Sequence, residues 1–218
     1  MPEIIPAIIA RSFDELKEKV KLVEPYVSTV QLDIMDGIFV SNETWRTPED
    51  LNNLETNLFL EAHLMVVNPY DVIEGWLASK VRKVLIHWES LDKRVDFELS
   101  IIDLMEKVRL QNKKLGIVLN PETPMDVLDS FISQIDLVML MGVSPGFAGQ
   151  QIQPGVVDKV RQLRQKYLNV KIEIDGGVNS QNARQLVFAG ADFLAVGASI
   201  FESGDIGKAI KLLEESII

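Results

Sequence analysis

Short apolar runs alternate along the chain with longer stretches in which apolar residues recur every three or four positions, and the alternation persists from end to end. The runs predict strands at Ile4–Ala10, Thr29–Ile34, Leu58–Met65, Lys83–His87, Lys114–Leu119, Leu137–Met141, Lys171–Ile174 and Phe193–Val196. Their near-continuous Val, Ile and Leu character suits strands buried on both faces, as in a parallel sheet. The longer stretches read as amphipathic helices. Phe13, Leu16 and Val20 form one apolar stripe, and Ile101, Leu104, Met105 and Val108 form another. Ser12 followed by Glu15 has the pattern of a capping box, and Asn179 is placed to cap a helix running through Val187. Pro69, Pro124 and Pro154 sit just before or inside helix starts, where a missing N–H costs little. Gly190, after Leu186-Val187-Phe188, reads as a helix C-cap before the last strand.

Eight strand–helix repeats in 218 residues, with no Ser/Gly/Pro linker or low-complexity block, predict one α/β domain over residues 1–218: a (β/α)₈ barrel. The rival fold is a doubly wound open sheet. It would typically carry a Gly-x-Gly-x-x-Gly turn after an early strand, and the early turns here have none. Hydrophobic residues at 47% and charged residues at 25% are ordinary for a globular protein. A net charge of −10 argues against nucleic acid or an anionic membrane as partner. It leaves room for an anionic substrate, because backbone N–H groups bind phosphate locally. The absence of cysteine excludes disulfides and thiolate-held metals. Met1-Pro2-Glu3-Ile4-Ile5 lacks the basic segment of a signal peptide, and no apolar run approaches the ~18 residues of a membrane span. A cytoplasmic enzyme is the default expectation.

Candidate chemistry sits at the strand ends. Glycines gather after the last three strands, in Ser144-Pro145-Gly146-Phe147-Ala148-Gly149-Gln150, Gly176-Gly177 and Gly197-Ala198-Ser199. Glycine permits positive φ and close backbone approach, so N–H groups can converge on phosphate oxygens. In barrels, this is where phosphate sites form. A helix N-terminus near Ser199 would add a favourable dipole. The plainer alternative is a set of tight turns in a small barrel.

Asp33 and Asp175 each end an apolar strand, where a buried carboxylate is costly unless paired or metal-bound. Across a barrel mouth, one could take a proton from a carbon next to a carbonyl and the other return one to the opposite face. The alternative is that Asp33 caps a turn and Asp175 orders the glycine turn. Asp36, before Gly37, reads as a turn residue. His63, near the end of the third predicted strand, would join Asp33 and Asp175 as ligands of a divalent cation able to stabilise an enediolate. His87 reads as structural. Met35, Met65 and Met141 read either as core filler or as an apolar lining that shields such an intermediate from water.

At these residues the chain resembles the ribulose-phosphate 3-epimerase family. The motifs are Asp33-Ile34-Met35-Asp36-Gly37-Ile38-Phe39-Val40, His63-Leu64-Met65, Leu119-Asn120-Pro121-Glu122-Thr123-Pro124 and Asp175-Gly176-Gly177-Val178-Asn179, and the likeness runs from Ile5-Pro6-Ala7-Ile8 to Ala198-Ser199-Ile200-Phe201. The resemblance implies a TIM barrel of the ribulose-phosphate-binding type. It also implies an isomerase that interconverts ribulose 5-phosphate and xylulose 5-phosphate. It makes Asp33 and Asp175 the acid and base. It also implies a divalent metal (Zn²⁺, Fe²⁺ or Mn²⁺) on Asp33, His63 and Asp175, and a tendency to homo-oligomers. The family's fourth ligand is a His where this chain has Gln31, and its substrate-site Ser is replaced by Ala7. Ala148 stands for a phosphate-loop glycine and Ala198 for a serine of the last phosphate turn. An amide oxygen is a weaker donor than imidazole, so the metal is expected to be weakly held or absent. Two alternatives remain: 3-epimerisation of a six-carbon ketose phosphate, and a phosphosugar-binding homologue with impaired catalysis.

Overall fold

The computed structural model describes residues 2–91 and 97–218. Eight parallel strands close into a barrel in chain order: β1 (Glu3–Ile8), β2 (Thr29–Met35), β3 (Phe59–Met65), β4 (Lys83–His87), β5 (Lys114–Leu119), β6 (Leu137–Met141), β7 (Lys171–Asp175) and β8 (Phe193–Val196). Four strands have the predicted bounds. β1 stops two residues early because Lys19 Nζ and the N–H of Trp45 take the carbonyls of Ile9 and Ala10, at 2.6 and 2.8 Å. β2 and β7 each run one residue further, since Met35 pairs with Met65 and Asp175 with Ala195.

Outside the barrel lie α1 (Phe13–Val23), α2 (Ile73–Ala78), α3 (Phe97–Leu110), α4 (Val156–Lys166), α5 (Ala183–Ala189), α6 (Ala198–Phe201) and α7 (Ile206–Ser216). The predicted stripes face inward: Leu16 and Val20 on α1, and Ile101, Leu104, Met105 and Val108 on α3, are buried against the strands. Ser12 caps α1 by accepting from Glu15 N–H at 3.2 Å, while the Glu15 carboxylate reaches back to the N–H of Arg11 rather than Ser12, at 2.7 Å. Asn179 accepts from the N–H of Gln181 at 2.9 Å and starts a turn that becomes α5 at Ala183. Gly190, at φ 123°, ends that helix in a conformation that favours glycine. Two connections carry 3₁₀ turns instead of α-helices: Pro48–Asn53 between β2 and β3, and Met125–Leu128 with Ile132–Gln134 between β5 and β6. Both are rich in Pro, Asn, Asp and Thr, which favour turns over helix interiors. Among the described residues, no helix is long and apolar enough to cross a membrane.

The barrel interior is divided by polarity. Leu85, Val118, Leu137, Met139 and Met141 form an apolar wedge from β4, β5 and β6. Gln31, Glu61, His63, Lys83, His87 and Glu173 are buried polar groups on β2, β3, β4 and β7. Strand side chains alternate faces, so residues two apart share the interior. Glu61 therefore lies below His63, and Glu173 below Asp175. The register pairs Glu61 with Lys83, whose ammonium lies 2.5 Å from Glu61 Oε2 and 3.4 Å from Glu173 Oε2. The one ammonium pairs most closely with Glu61, and burial together with the Glu61 charge pushes the pKa of Glu173 well above the usual carboxylate range.

Candidate active site

The sheet register builds the site. Asp33 pairs with His63 across β2 and β3, Ala7 with Gln31 across β1 and β2, and Met141 with Asp175 across β6 and β7. Asp33 is fixed further by Thr44, whose hydroxyl donates to the Asp33 carbonyl and accepts from the N–H of Met35, each at 2.8 Å. Asp36 is the expected turn residue, accepting from the N–H groups of Ile38 and Phe39 and tying Val67 to the same loop.

At the carboxyl ends of the strands, Asp33, His63 and Asp175 present ligand atoms within 4.8 Å of one another. His63 Nδ1 lies 3.2 Å from Asp33 Oδ1 and 3.1 Å from Asp175 Oδ2. Gln31 turns its amide nitrogen into this group and donates to Asp33 Oδ1 and Asp175 Oδ2, both at 2.8 Å. Its Oε1 is buried without a hydrogen-bond partner. Asp33 and Asp175 reach the cavity surface, whereas Gln31 and His63 lie wholly beneath it.

These contacts set the charges. Burial raises the pKa of Asp33, hydrogen bonding by His63 opposes this, and the nearby Asp175 charge adds to the rise. Burial disfavours a charged His63, but hydrogen bonds to Asp175 and Asp33 outweigh it and raise its pKa from 6.5 to about 10. His63 Nε2 lies 2.9 Å from His87 Nε2, and His87 Nδ1 lies 3.3 Å from Glu89 Oε2. Burial lowers the pKa of His87 to about 4 despite the Glu89 hydrogen bond, so this ring is neutral. Burial works against the Glu89 carboxylate, but hydrogen bonds from His87, Thr123 and the Asn120 N–H hold its pKa down at about 2. Sequence reasoning set His87 aside as structural. The His87-Trp88-Glu89 spacing was the available signal, but its link to His63 depends on two strands meeting.

The donor set suits a divalent cation. One imidazole nitrogen and two carboxylates are hard-to-borderline ligands for Zn²⁺, Fe²⁺ or Mn²⁺, and two buried carboxylates call for compensating charge. Gln31 presents N–H donors, not its oxygen. Its carbonyl would join the set only after a half-turn of the amide exchanges the two atoms, a turn for which the orphaned Oε1 leaves a reason.

Above the group opens a cavity of about 640 Å³. Ala7, Met35, Met65 and Met141 line its apolar side. The three glycine turns also line it, with Gly146, Phe147, Ala148 and Gly149 from the first, Gly176 and Gly177 from the second, and Gly197, Ala198 and Ser199 from the third. Gly177, at φ 73°, has no room for a side chain, since a Cβ would fall 2.5 Å from the backbone nitrogen of Ile152. Gln150 Nε2 ties Ser144 and Phe147 carbonyls at 2.8 and 2.9 Å and holds the first turn closed. The Ser199 hydroxyl donates to the Val178 carbonyl at 3.0 Å, binding the third turn to the second. Asn179, Gln181 and Asn182 also reach the cavity, which sequence reasoning did not anticipate.

A parallel barrel with its cavity at this face belongs to the (β/α)₈ enzymes. The profile of the Ribulose-phosphate 3 epimerase family matches residues 3–201. The chloroplastic ribulose-5-phosphate-3-epimerase of Arabidopsis thaliana is 33% identical over 98% of this chain and 76% of its own length. The ribulose-phosphate 3-epimerase of Escherichia coli strain K12 is 31% identical over 95% of this chain and 92% of its own. Among solved structures, 3-hexulose-6-phosphate synthase from Salmonella typhimurium superposes with a TM-score of 0.71 over 99% of this chain and 98% of that one. At 13% identity, that likeness speaks for the fold alone. The chain belongs to the ribulose-phosphate 3-epimerase family and is an enzyme of the isomerase class.

Proposed function

We propose that this enzyme inverts C3 of D-ribulose 5-phosphate to give D-xylulose 5-phosphate, by proton transfer between Asp33 and Asp175. The observation that carries the reading is that both carboxylates contact one amide nitrogen, Gln31 Nε2, from strands on different sides of the barrel. A ketose lying over this group would have a carboxylate near each face of C3. One aspartate takes the C3 proton from one face, leaving an enediolate across C2 and C3. The other delivers a proton to C3 from the opposite face, and the reverse reaction exchanges their roles. His63, within 3.2 Å of Asp33 and 3.1 Å of Asp175, holds the pair in place and lowers the cost of their charge. A divalent cation on Asp33, His63 and Asp175 would supply Lewis-acid stabilisation of the enediolate oxygens. The backbone of the turns at Gly146–Gly149, Gly176–Gly177 and Gly197–Ser199 binds the phosphate. Met35, Met65 and Met141 keep water from the intermediate.

Turnover on a panel of five- and six-carbon ketose phosphates, with and without added Zn²⁺, Mn²⁺ or Fe²⁺, tests this. Ribulose 5-phosphate should be the best substrate. A preference for a six-carbon ketose phosphate moves the assignment within the family. Binding without turnover under every condition overturns it.

A further inference from the structure

We propose that Asn42 is a positioning residue for phosphate: it holds the Gly146 carbonyl from across the barrel mouth and so turns the N–H of Phe147, in the same peptide unit, toward the substrate's phosphate. The inference rests on the assignment of phosphate to the glycine turns, and its test separates the two.

Asn42 belongs to the loop that follows β2, whereas Gly146 lies in the loop that follows β6. These strands stand four places apart in a ring of eight, so the contact spans the barrel mouth. The β2 loop is built to make it. An antiparallel bridge between Asp36 and Glu43 closes the base of the loop. Asp36 Oδ1 gathers the N–H groups of Ile38 and Phe39, each at 2.8 Å. Val40 is buried with Met35 and Met65 and presses on Gly146, where a Cβ would fall 3.0 Å from that of Val40. The Asn42 amide has one orientation. Its Oδ1 accepts from the Glu43 N–H at 2.9 Å, so its Nδ2 donates to the Gly146 carbonyl, at 3.0 Å.

This contact fixes a peptide plane. In a trans peptide the carbonyl and the N–H point in opposite directions, so holding Gly146 O toward the β2 loop sends the Phe147 N–H the other way. Gly146 sits at φ 118°, and the conformational freedom of glycine leaves this peptide prone to flip. A flipped peptide would present a carbonyl to the phosphate in place of a donor. Gln150 treats the rest of the turn in the same manner, taking the carbonyls of Ser144 and Phe147 at 2.8 and 2.9 Å. Side-chain amides thus occupy the carbonyls of Ser144, Gly146 and Phe147. Among the described residues, no backbone acceptor takes the N–H of Phe147 or Ala148. Gly146, Phe147 and Ala148 line the cavity and Asn42 does not, so Asn42 acts through the peptide and not on the substrate itself.

Two substitutions isolate the donor. Asn42→Asp keeps the shape and the acceptor for Glu43 but sets an oxygen against the Gly146 carbonyl. Asn42→Ala removes both bonds without adding charge. The chain has nine phenylalanines, so ¹⁵N-phenylalanine labelling gives a sparse amide spectrum in which Phe147→Leu assigns the signal at issue. Titrating wild-type protein with inorganic phosphate should shift the Phe147 signal. Both Asn42 variants should lose most of that shift and bind inorganic phosphate about 10-fold more weakly, the effect of one hydrogen bond to a charged group. Their KM for ribulose 5-phosphate should rise by a similar factor, with a smaller change in kcat. A role in stability alone would lower the melting temperature and leave phosphate affinity and KM as they are. Unchanged phosphate affinity in either variant overturns the proposal. In Asn42→Asp it would mean that the donor is dispensable, and in Asn42→Ala that any loss in Asn42→Asp comes from charge repulsion. Either variant therefore suffices if the other does not fold. A wild-type Phe147 signal that ignores inorganic phosphate overturns the assignment of the glycine turns, and the role of Asn42 with it. A wild type that responds to phosphate but does not turn over ribulose 5-phosphate refutes the assigned reaction alone.

Discussion

Gln31→Leu isolates what the amide does before any cation arrives. Leucine fills a similar volume at a wholly buried position but removes the two N–H donors that bridge Asp33 and Asp175 at 2.8 Å each. A hydrogen bond to a charged group contributes about 1.5–3 kcal/mol net, so two such bonds stabilise the folded protein by roughly 3–6 kcal/mol. Part of this is offset. The same substitution removes the unpartnered Oε1, whose burial costs about 1–3 kcal/mol. The net expectation is a loss of roughly 2–3 kcal/mol in chelator-treated protein, or about 4–12 °C in melting temperature for a chain of this size. Saturating Zn²⁺ should shrink the difference, because the cation then holds the carboxylates together. Differential scanning calorimetry of both proteins, with chelator and with Zn²⁺, makes the measurement. A chelated Gln31→Leu protein melting within a degree of wild type, or above it, would show that the bridge contributes nothing.

Asp33→Asn and Asp175→Asn should each fold and lose about 10²–10⁴-fold in turnover as proton-transfer groups, and near-normal turnover in either refutes the two-carboxylate mechanism. Ribulose without its phosphate should bind much more weakly than ribulose 5-phosphate, and equal affinities would sink the assignment of the glycine turns. Gln31→His should raise Zn²⁺ affinity, since imidazole is the stronger donor to borderline cations; an unchanged titration would mean that this side chain does not reach the cation. In chelated protein, the His63 pKa rises on folding from 6.5 to about 10, so its contribution is complete below pH 6.5 and is lost as the pH climbs toward 10. Denaturant titrations across that window should therefore show stability falling with pH in wild type and nearly flat in His63→Gln, and matching slopes refute the charge assignment.

The strand ends were legible because charged residues there interrupt apolar runs, which placed Asp33, His63 and Asp175 at one mouth before any contact was known. The three glycine turns were legible for a similar reason, through their clustering after consecutive strands. What the chain did not disclose depends on register and on orientation within the interior. The meeting of His63 with His87 requires β3 and β4 to align with both rings facing inward, and no local pattern encodes that. The orientation of the Gln31 amide is set jointly by Asp33 and Asp175, which lie 2 and 144 residues away. The family resemblance suggested a metal ligand at this position; only the assembled site turns its N–H donors inward. The connections without α-helices were also missed. Their apolar residues pack under short turns, as Leu51 and Leu128 do, without helical spacing.

Two layers of the barrel solve the same electrostatic problem differently. In the lower layer, Glu61 and Glu173 are bridged by the ammonium of Lys83, at 2.5 and 3.4 Å. Two residues further along the same strands, β3 contributes His63, and Asp175 on β7 faces Asp33 from β2, but no lysine joins them. That carboxylate pair is bridged by a neutral amide and by an imidazole. A cation fixed against both aspartates would favour their ionised forms and oppose the protonated state that one of them must hold in each half-reaction. An amide stabilises the pair without fixing its charge, and an imidazole can give up its proton to make way for a metal ion. Under the proposed mechanism, the permanent cation lies one layer below the chemistry and the adjustable groups lie within it. That division follows from the two-residue period of β3 and β7, which carries each strand from one interior layer to the next.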